Sequence, residues 1–95
     1  MHDMNDRVID LLDYMEDEIE DAEKYAIMAV ECSDPKITDM YMSMAEDELR
    51  HFEKLGEIIK SHKDVDEMVR HFATKRHSAM LNDHAKIKVI LSKAY

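Results

Sequence analysis

The chain has 95 residues, with 22 acidic side chains against 13 Lys and Arg, a formal net charge of −9, and a single Gly, Pro and Cys. That charge argues against nucleic acid or anionic membrane as a partner and favours attraction of cations. The lone Cys32 excludes an intrachain disulfide and any cysteine cluster for zinc.

No apolar run approaches the length of a membrane span, and His2, Asp3 and Asp6 interrupt any signal peptide. The expectation is one cytoplasmic domain over residues 1–95. Scarce Gly and Pro, with abundant Ala, Glu, Lys, Met and Leu, predict an all-α fold. Three helices are expected, near residues 4–32, 35–62 and 65–93.

In the first predicted helix, Leu11, Met15, Glu18, Ala22, Tyr25, Ala29 and Cys32 follow four-three spacing and share one face. Glu18 is the one member charged at pH 7 by its ordinary pKa. A second apolar row, Ile9, Leu12, Ile19, Ala26 and Val30, runs beside the first. Asp10, Asp13, Glu16, Asp17, Glu20, Asp21 and Glu23 cover the outer faces. A solvated surface is the plain reading of that run. The functional reading is a funnel that concentrates cations near Glu18, with Asp13, Asp17 and Glu20 as its floor.

Asp34-Pro35 is a helix-start signal: Asp34 can cap, and Pro35 suits the first helical position. The first helix must therefore stop near Cys32 or Ser33, and so short a link makes its neighbours antiparallel. The second predicted helix repeats the pattern with Ile37, Tyr41, Met44, Glu48, His51, Leu55, Ile58 and His62 on one face. Met42, Ala45, Leu49, Phe52 and Ile59 form its second row, and Gly56 allows a neighbour to pack closely. Within the first row, Glu48-Leu49-Arg50-His51 spells Glu-x-x-His. A carboxylate among core residues is costly unless it is paired or binds a metal.

Equal arms bring these groups together. Glu18 lies fourteen residues before Cys32, and Glu48 lies fourteen after Asp34. At the rise of an α-helix, both acids then stand roughly 21 Å from the turn. The same count sets Met15 against His51, Ala22 against Met44 and Tyr25 against Tyr41.

The third predicted helix is less regular. Asp64 can cap it, with Glu67 three residues on. Val65, Val69, Phe72, Met80, Ile87 and Leu91 form a row broken by Arg76 and Asp83, which suggests polar contacts at a subunit boundary. His62, His71, His77 and His84 read as surface or interface residues. The nine methionines, spread through the apolar rows, read as adaptable core packing.

One hairpin supplies only Glu18, Glu48 and His51, too few ligands for two metals. A two-fold copy would supply four Glu and two His, a ligand set that four-helix bundles use for two iron or manganese ions. A homodimer with the metals at its interface is the expectation. A Glu-x-x-His match alone is weak, since composition gives roughly 0.6 matches by chance. Mid-stripe placement and the equal arms carry the reading. The competing structural reading is a buried polar pair that fixes register.

Asp17-Glu18-Ile19-Glu20 through Tyr25, then Asp34-Pro35, then Asp47-Glu48-Leu49-Arg50-His51, resemble the encapsulated-ferritin branch of the ferritin-like superfamily. The Glu-x6-Tyr and Glu-x-x-His pattern is also similar to rubrerythrin. The resemblance spans about residues 10–60. It implies a half-ferritin that dimerises into a four-helix bundle with a ferroxidase centre and assembles further into rings. On that resemblance Glu18 is a terminal iron ligand, Glu48 the bridging ligand and His51 the nitrogen ligand. Asp17 and Glu20 match acids near the metal entrance, and Tyr25 would orient a partner's ligand carboxylate. An encapsulin shell is the further partner implied, although Lys86 to Tyr95 do not resemble the usual docking tail. The leading expectation is therefore oxidation of Fe²⁺ by O₂, with two iron ions per dimer and manganese as an alternative metal. A rubrerythrin-like peroxide reductase and a non-enzymatic helical interaction module are the competing functions.

Overall fold

A computed structural model describes residues 4–62 and 64–94. It contains α1 (Met4–Glu31), α2 (Pro35–Ser61) and α3 (Glu67–Ser92). The expected helices are present, with ends displaced by two residues or fewer.

The α1–α2 turn is built as its sequence predicts. Pro35 opens α2, and the Lys36 backbone N–H donates to Asp34 Oδ1 at 2.9 Å. Thr38, buried in the first turn of α2, reaches back to α1. Its hydroxyl lies 3.3 Å from both the Ala29 and Cys32 carbonyls. Those carbonyls belong to the last turn of α1 and the residue just past it, where helix geometry leaves acceptors without partners. One side chain thus caps the end of one helix from the start of the next.

The start of α3 differs from expectation. Asp64 does not cap it; the cap position is Asp66, which makes no side-chain bond to its own helix. Its carboxylate accepts from Asn5 Nδ2 at 2.9 Å, and its backbone N–H donates to Asn5 Oδ1 at 3.0 Å. The carboxylate is occupied in tying the start of α3 to the start of α1. At the end of α2, Ser61 Oγ and His62 Nδ1 both bond the Ile58 carbonyl, at 2.6 and 2.7 Å.

α1 and α2 form a tightly packed antiparallel hairpin, and α3 runs parallel to α1 with less contact to α2. The buried α1 face is Val8, Leu12, Met15, Ile19, Ala22, Ala26 and Ala29, at four-three spacing but rotated from the expected ligand row: it takes Leu12, Ile19 and Ala26 from the second row and leaves Leu11, Tyr25 and Cys32 half-buried. Ala45, Leu49, Phe52 and Gly56 face it from α2. Gly56 permits the close approach expected of it: a Cβ there would sit 3.1 Å from His77 Nε2 and 3.6 Å from Met15 Cε.

The α3 stripe is a correction to the expected one. Ala73, Met80, Ile87 and Leu91 are buried, and His77 and His84 fall between them on the same face. Neither histidine is a free surface residue. Their rings pack on Phe52 with centroids 5.9 and 5.4 Å away, and His84 Nε2 lies 3.1 Å from Glu53 Oε1. Phe72, expected in the core, is 46% exposed and lies beneath the Arg76 guanidinium. Arg76, read from the sequence as a subunit-boundary contact, has partners in its own chain: Asp13 Oδ1 at 3.0 Å and Glu16 Oε2 at 2.5 Å.

Candidate metal centre

Three residues converge where the sequence places them. Glu18 comes from the middle of α1, and Glu48 and His51 from one face of α2. Each offers a ligand atom, and these atoms all lie within 4.8 Å of one another. Among the described residues this is the one such cluster of three or more potential metal-ligating side chains. The common height follows from the turn, because Asp34 and Pro35 fix where both helices begin counting. Tyr25 and Tyr41 confirm the register: their rings stack with centroids 6.3 Å apart and planes 19° from parallel.

The cluster has a floor and a rim. Glu18 is only 7% exposed, Glu48 is half-buried, and the His51 side chain is 56% exposed. His51 Nδ1 stands 3.4 Å from Glu18 Oε2, close enough for an ion pair but without hydrogen-bond geometry. Glu18 Oε2 is therefore a buried carboxylate oxygen with no hydrogen-bond partner. Such an atom costs free energy unless something else satisfies it. A cation does so, and two carboxylates with one imidazole are a donor set that can hold a divalent metal ion.

The electrostatics follow from crowding two acids. Glu48 is pushed up to about 7, first by hydrogen bonding with Glu18, then by burial, then by the negative charges of Glu18 and Asp21. Near neutral pH the pair shares its charge with a proton. A metal ion would replace that proton.

Tyr14 is a neighbour that stripe reasoning overlooked. It sits one helical turn before Glu18, and its phenol is held above the usual tyrosine range. The causes are the Glu18 charge, hydrogen bonding to Glu18, slight burial and the Glu48 charge, in that order. The signal was available as i, i+4 spacing, but Tyr14 belongs to neither apolar row.

The remaining expected residues lie elsewhere. Asp13 is held by Arg76 on the α3 side. Asp17 and Glu20 are exposed on the outer face of α1. Tyr25 is half-buried against Tyr41, with the Lys24 ammonium 5.7 Å from its ring centre. Glu18, Glu48 and His51 can chelate a metal ion. No helix among the described residues is long and apolar enough to cross a membrane. No family model, curated protein or solved structure matches the chain.

Proposed function

We propose that the chain is a ferroxidase whose centre is completed by a second copy across a two-fold axis. The observation that carries this reading is Glu18 Oε2, buried without a hydrogen-bond donor beside Glu48 and His51. One chain offers three ligand residues; two chains offer four carboxylates and two imidazoles, enough for two Fe²⁺ ions as substrate. The resemblance of Glu18, Tyr25 and Glu48 through His51 to encapsulated ferritins supports the same assignment. Exposed apolar residues further along the same stripe support it too. Ile37 and Ile58, on the ligand stripe of α2, are 42% and 44% exposed.

In this reading the iron supplies one electron per ion to O₂. The protein holds and orients. Glu18, buried and unable to reach water freely, is the fixed ligand. Glu48 loses its proton as the metal arrives and bridges toward the two-fold axis. His51, at the rim, closes the site from solvent when the second copy docks. Asp21, close enough for its charge to act on Glu48, draws Fe²⁺ toward this mouth. Oxidised iron leaves for a larger assembly, a ring or an encapsulin interior, because a chain of this size encloses no mineral.

Stopped-flow oxidation of Fe²⁺ by the metal-free protein in air tests the proposal. A fast phase saturating near two Fe²⁺ per two chains is expected. His51→Ala and Glu48→Ala should abolish it, and Glu67→Ala, outside both ligand rows, should leave it unchanged. No acceleration over protein-free buffer would overturn the ferroxidase reading.

A further inference from the structure

At the far end of the bundle, a trough of about 530 Å³ opens between the last turn of α2 and the first half of α3. Its floor is apolar and belongs to the core: Val8 is 1% exposed and Ala73 6%. Ile59 and Val65, both partly buried, form the walls. The rim has the opposite chemistry. Lys60, His62, Arg70, His77 and Ser78 line it. No Asp or Glu lines the trough among the described residues, in a chain with 22 acids. The contrast with the trough between α1 and α3 is direct, since Glu16, Glu20, Glu23 and Asp83 line that one.

We infer that this trough binds an amphiphilic organic anion, with its carboxylate or phosphate head on Lys60, His77 and Ser78 and its apolar body against Ile59 and Val65, above the core residues Val8 and Ala73. Three features support the assignment. The volume falls within the range of small-molecule sites, and an apolar floor with a few converging polar groups is their usual composition. The overall charge of −9 repels anions elsewhere on the surface, so a carboxylate-free, cation-rimmed recess is the place where one can be held. His77 and Lys60 also repel each other when both are charged. The imidazole is held below the usual histidine range, first by burial and then by the Lys60 charge. An anion between them relieves that repulsion.

Among the described residues, Lys60 on α2, His62 just past its end, Arg70 and Ser78 on α3 and Val8 on α1 line the trough with His77, and Phe52 and Gly56 of α2 lie against the imidazole. Thr74 is not a donor there, because its hydroxyl bonds the Arg70 carbonyl at 2.9 Å. By linkage, an anion that binds better beside charged His77 must raise the pKa of that imidazole.

The site stands apart from the metal cluster. From His51 to Lys60 is nine residues along α2, roughly 13 Å of helix. It neither needs the ferroxidase reading nor lends it support.

The test is an amide chemical-shift titration of the full chain with octanoate, beside octanol and inorganic phosphate. Octanoate is expected to give saturable shifts at Val8, Ile59, Ala73, His77 and Ser78, and to raise the His77 pKa. Lys60→Glu should weaken octanoate about tenfold, the equivalent of about 1.4 kcal/mol. Lys54→Glu, also exposed on α2 but outside the trough, should not. Three results would overturn the inference. They are no saturable shift by about 10 mM octanoate, equal binding of octanol or of phosphate alone, and unchanged affinity in Lys60→Glu.

Discussion

Glu18 and Glu48 create a conflict that the metal-free protein resolves with a proton, and the sign of its effect on stability can be worked out. In the folded chain the Glu48 carboxyl keeps its proton to about pH 7, against an ordinary value of 4.5. Between those values the folded state binds more protons than the unfolded one. The stability contributed by the protonated carboxyl is complete below the ordinary value and is lost as pH rises through about 7. Glu48→Gln fixes the neutral form. It should therefore flatten this part of the pH dependence and raise the melting temperature above pH 7. For a loss on the order of 1 kcal/mol, the difference is about 4–8 °C in a domain of this size. Thermal melts of both proteins at pH 5.5 and 8 check it; parallel pH profiles would show that Glu48 is not the group responsible. The same proton competes with metal. Calorimetric titration with Mn²⁺ should show affinity falling about tenfold per pH unit below the Glu48 pKa, with one proton released per site.

The helices divide into elements that were legible and one that was not. α1 and α2 each repeat a four-three pattern, and Asp34-Pro35 fixes their common origin, so the Glu18–Glu48–His51 layer and the Tyr25–Tyr41 stack could be read before any coordinates. α3 misled because its buried face includes His77 and His84, polar residues that pack on Phe52. Phe72, the obvious apolar candidate, faces outward. Periodicity counts hydrophobic residues and cannot see that an imidazole on an aromatic ring serves as packing. Arg76 misled for a related reason, since nothing local announced that its partners lie on α1.

The energies of these contacts should separate in urea unfolding. Arg76→Ala breaks pairs with Asp13 and Glu16, whose own side chains are largely exposed, and should cost under about 1 kcal/mol. Ile87→Ala opens the buried α3 face and should cost about 2–5 kcal/mol. Thr38→Val removes the hydroxyl that caps the last turn of α1, at about 1 kcal/mol. A larger loss for Arg76→Ala than for Ile87→Ala would mean that α3 is held by charge instead of burial.

At the scale of the whole molecule the decisive fact is asymmetry of cover. The chain measures 48 × 24 × 16 Å, thin for its length, because α3 shields one side of the hairpin only. The second rows of α1 and α2 are buried there, through Leu12, Ile19, Leu49 and Phe52. The ligand face is covered only in part: Met15, Ala22 and Ala29 are buried in the hairpin, whereas Ile37, Ile58 and His51, with Tyr14 beside them, remain exposed. A two-fold copy on that face would bury the apolar residues and double the ligands in one step, so assembly and metal binding should be coupled. Sedimentation velocity should show a concentration-dependent dimer, strengthened by Mn²⁺, since a ligand that binds only the assembled state stabilises it. Ile37→Lys with Ile58→Lys leaves Glu18, Glu48 and His51 untouched but places like charges opposite each other across the axis. The double variant should remain helical, sediment as a monomer, bind a single ion weakly and lose the fast oxidation of Fe²⁺. If it stays dimeric and active, the second copy does not sit on the ligand face, and the di-iron centre proposed here cannot form.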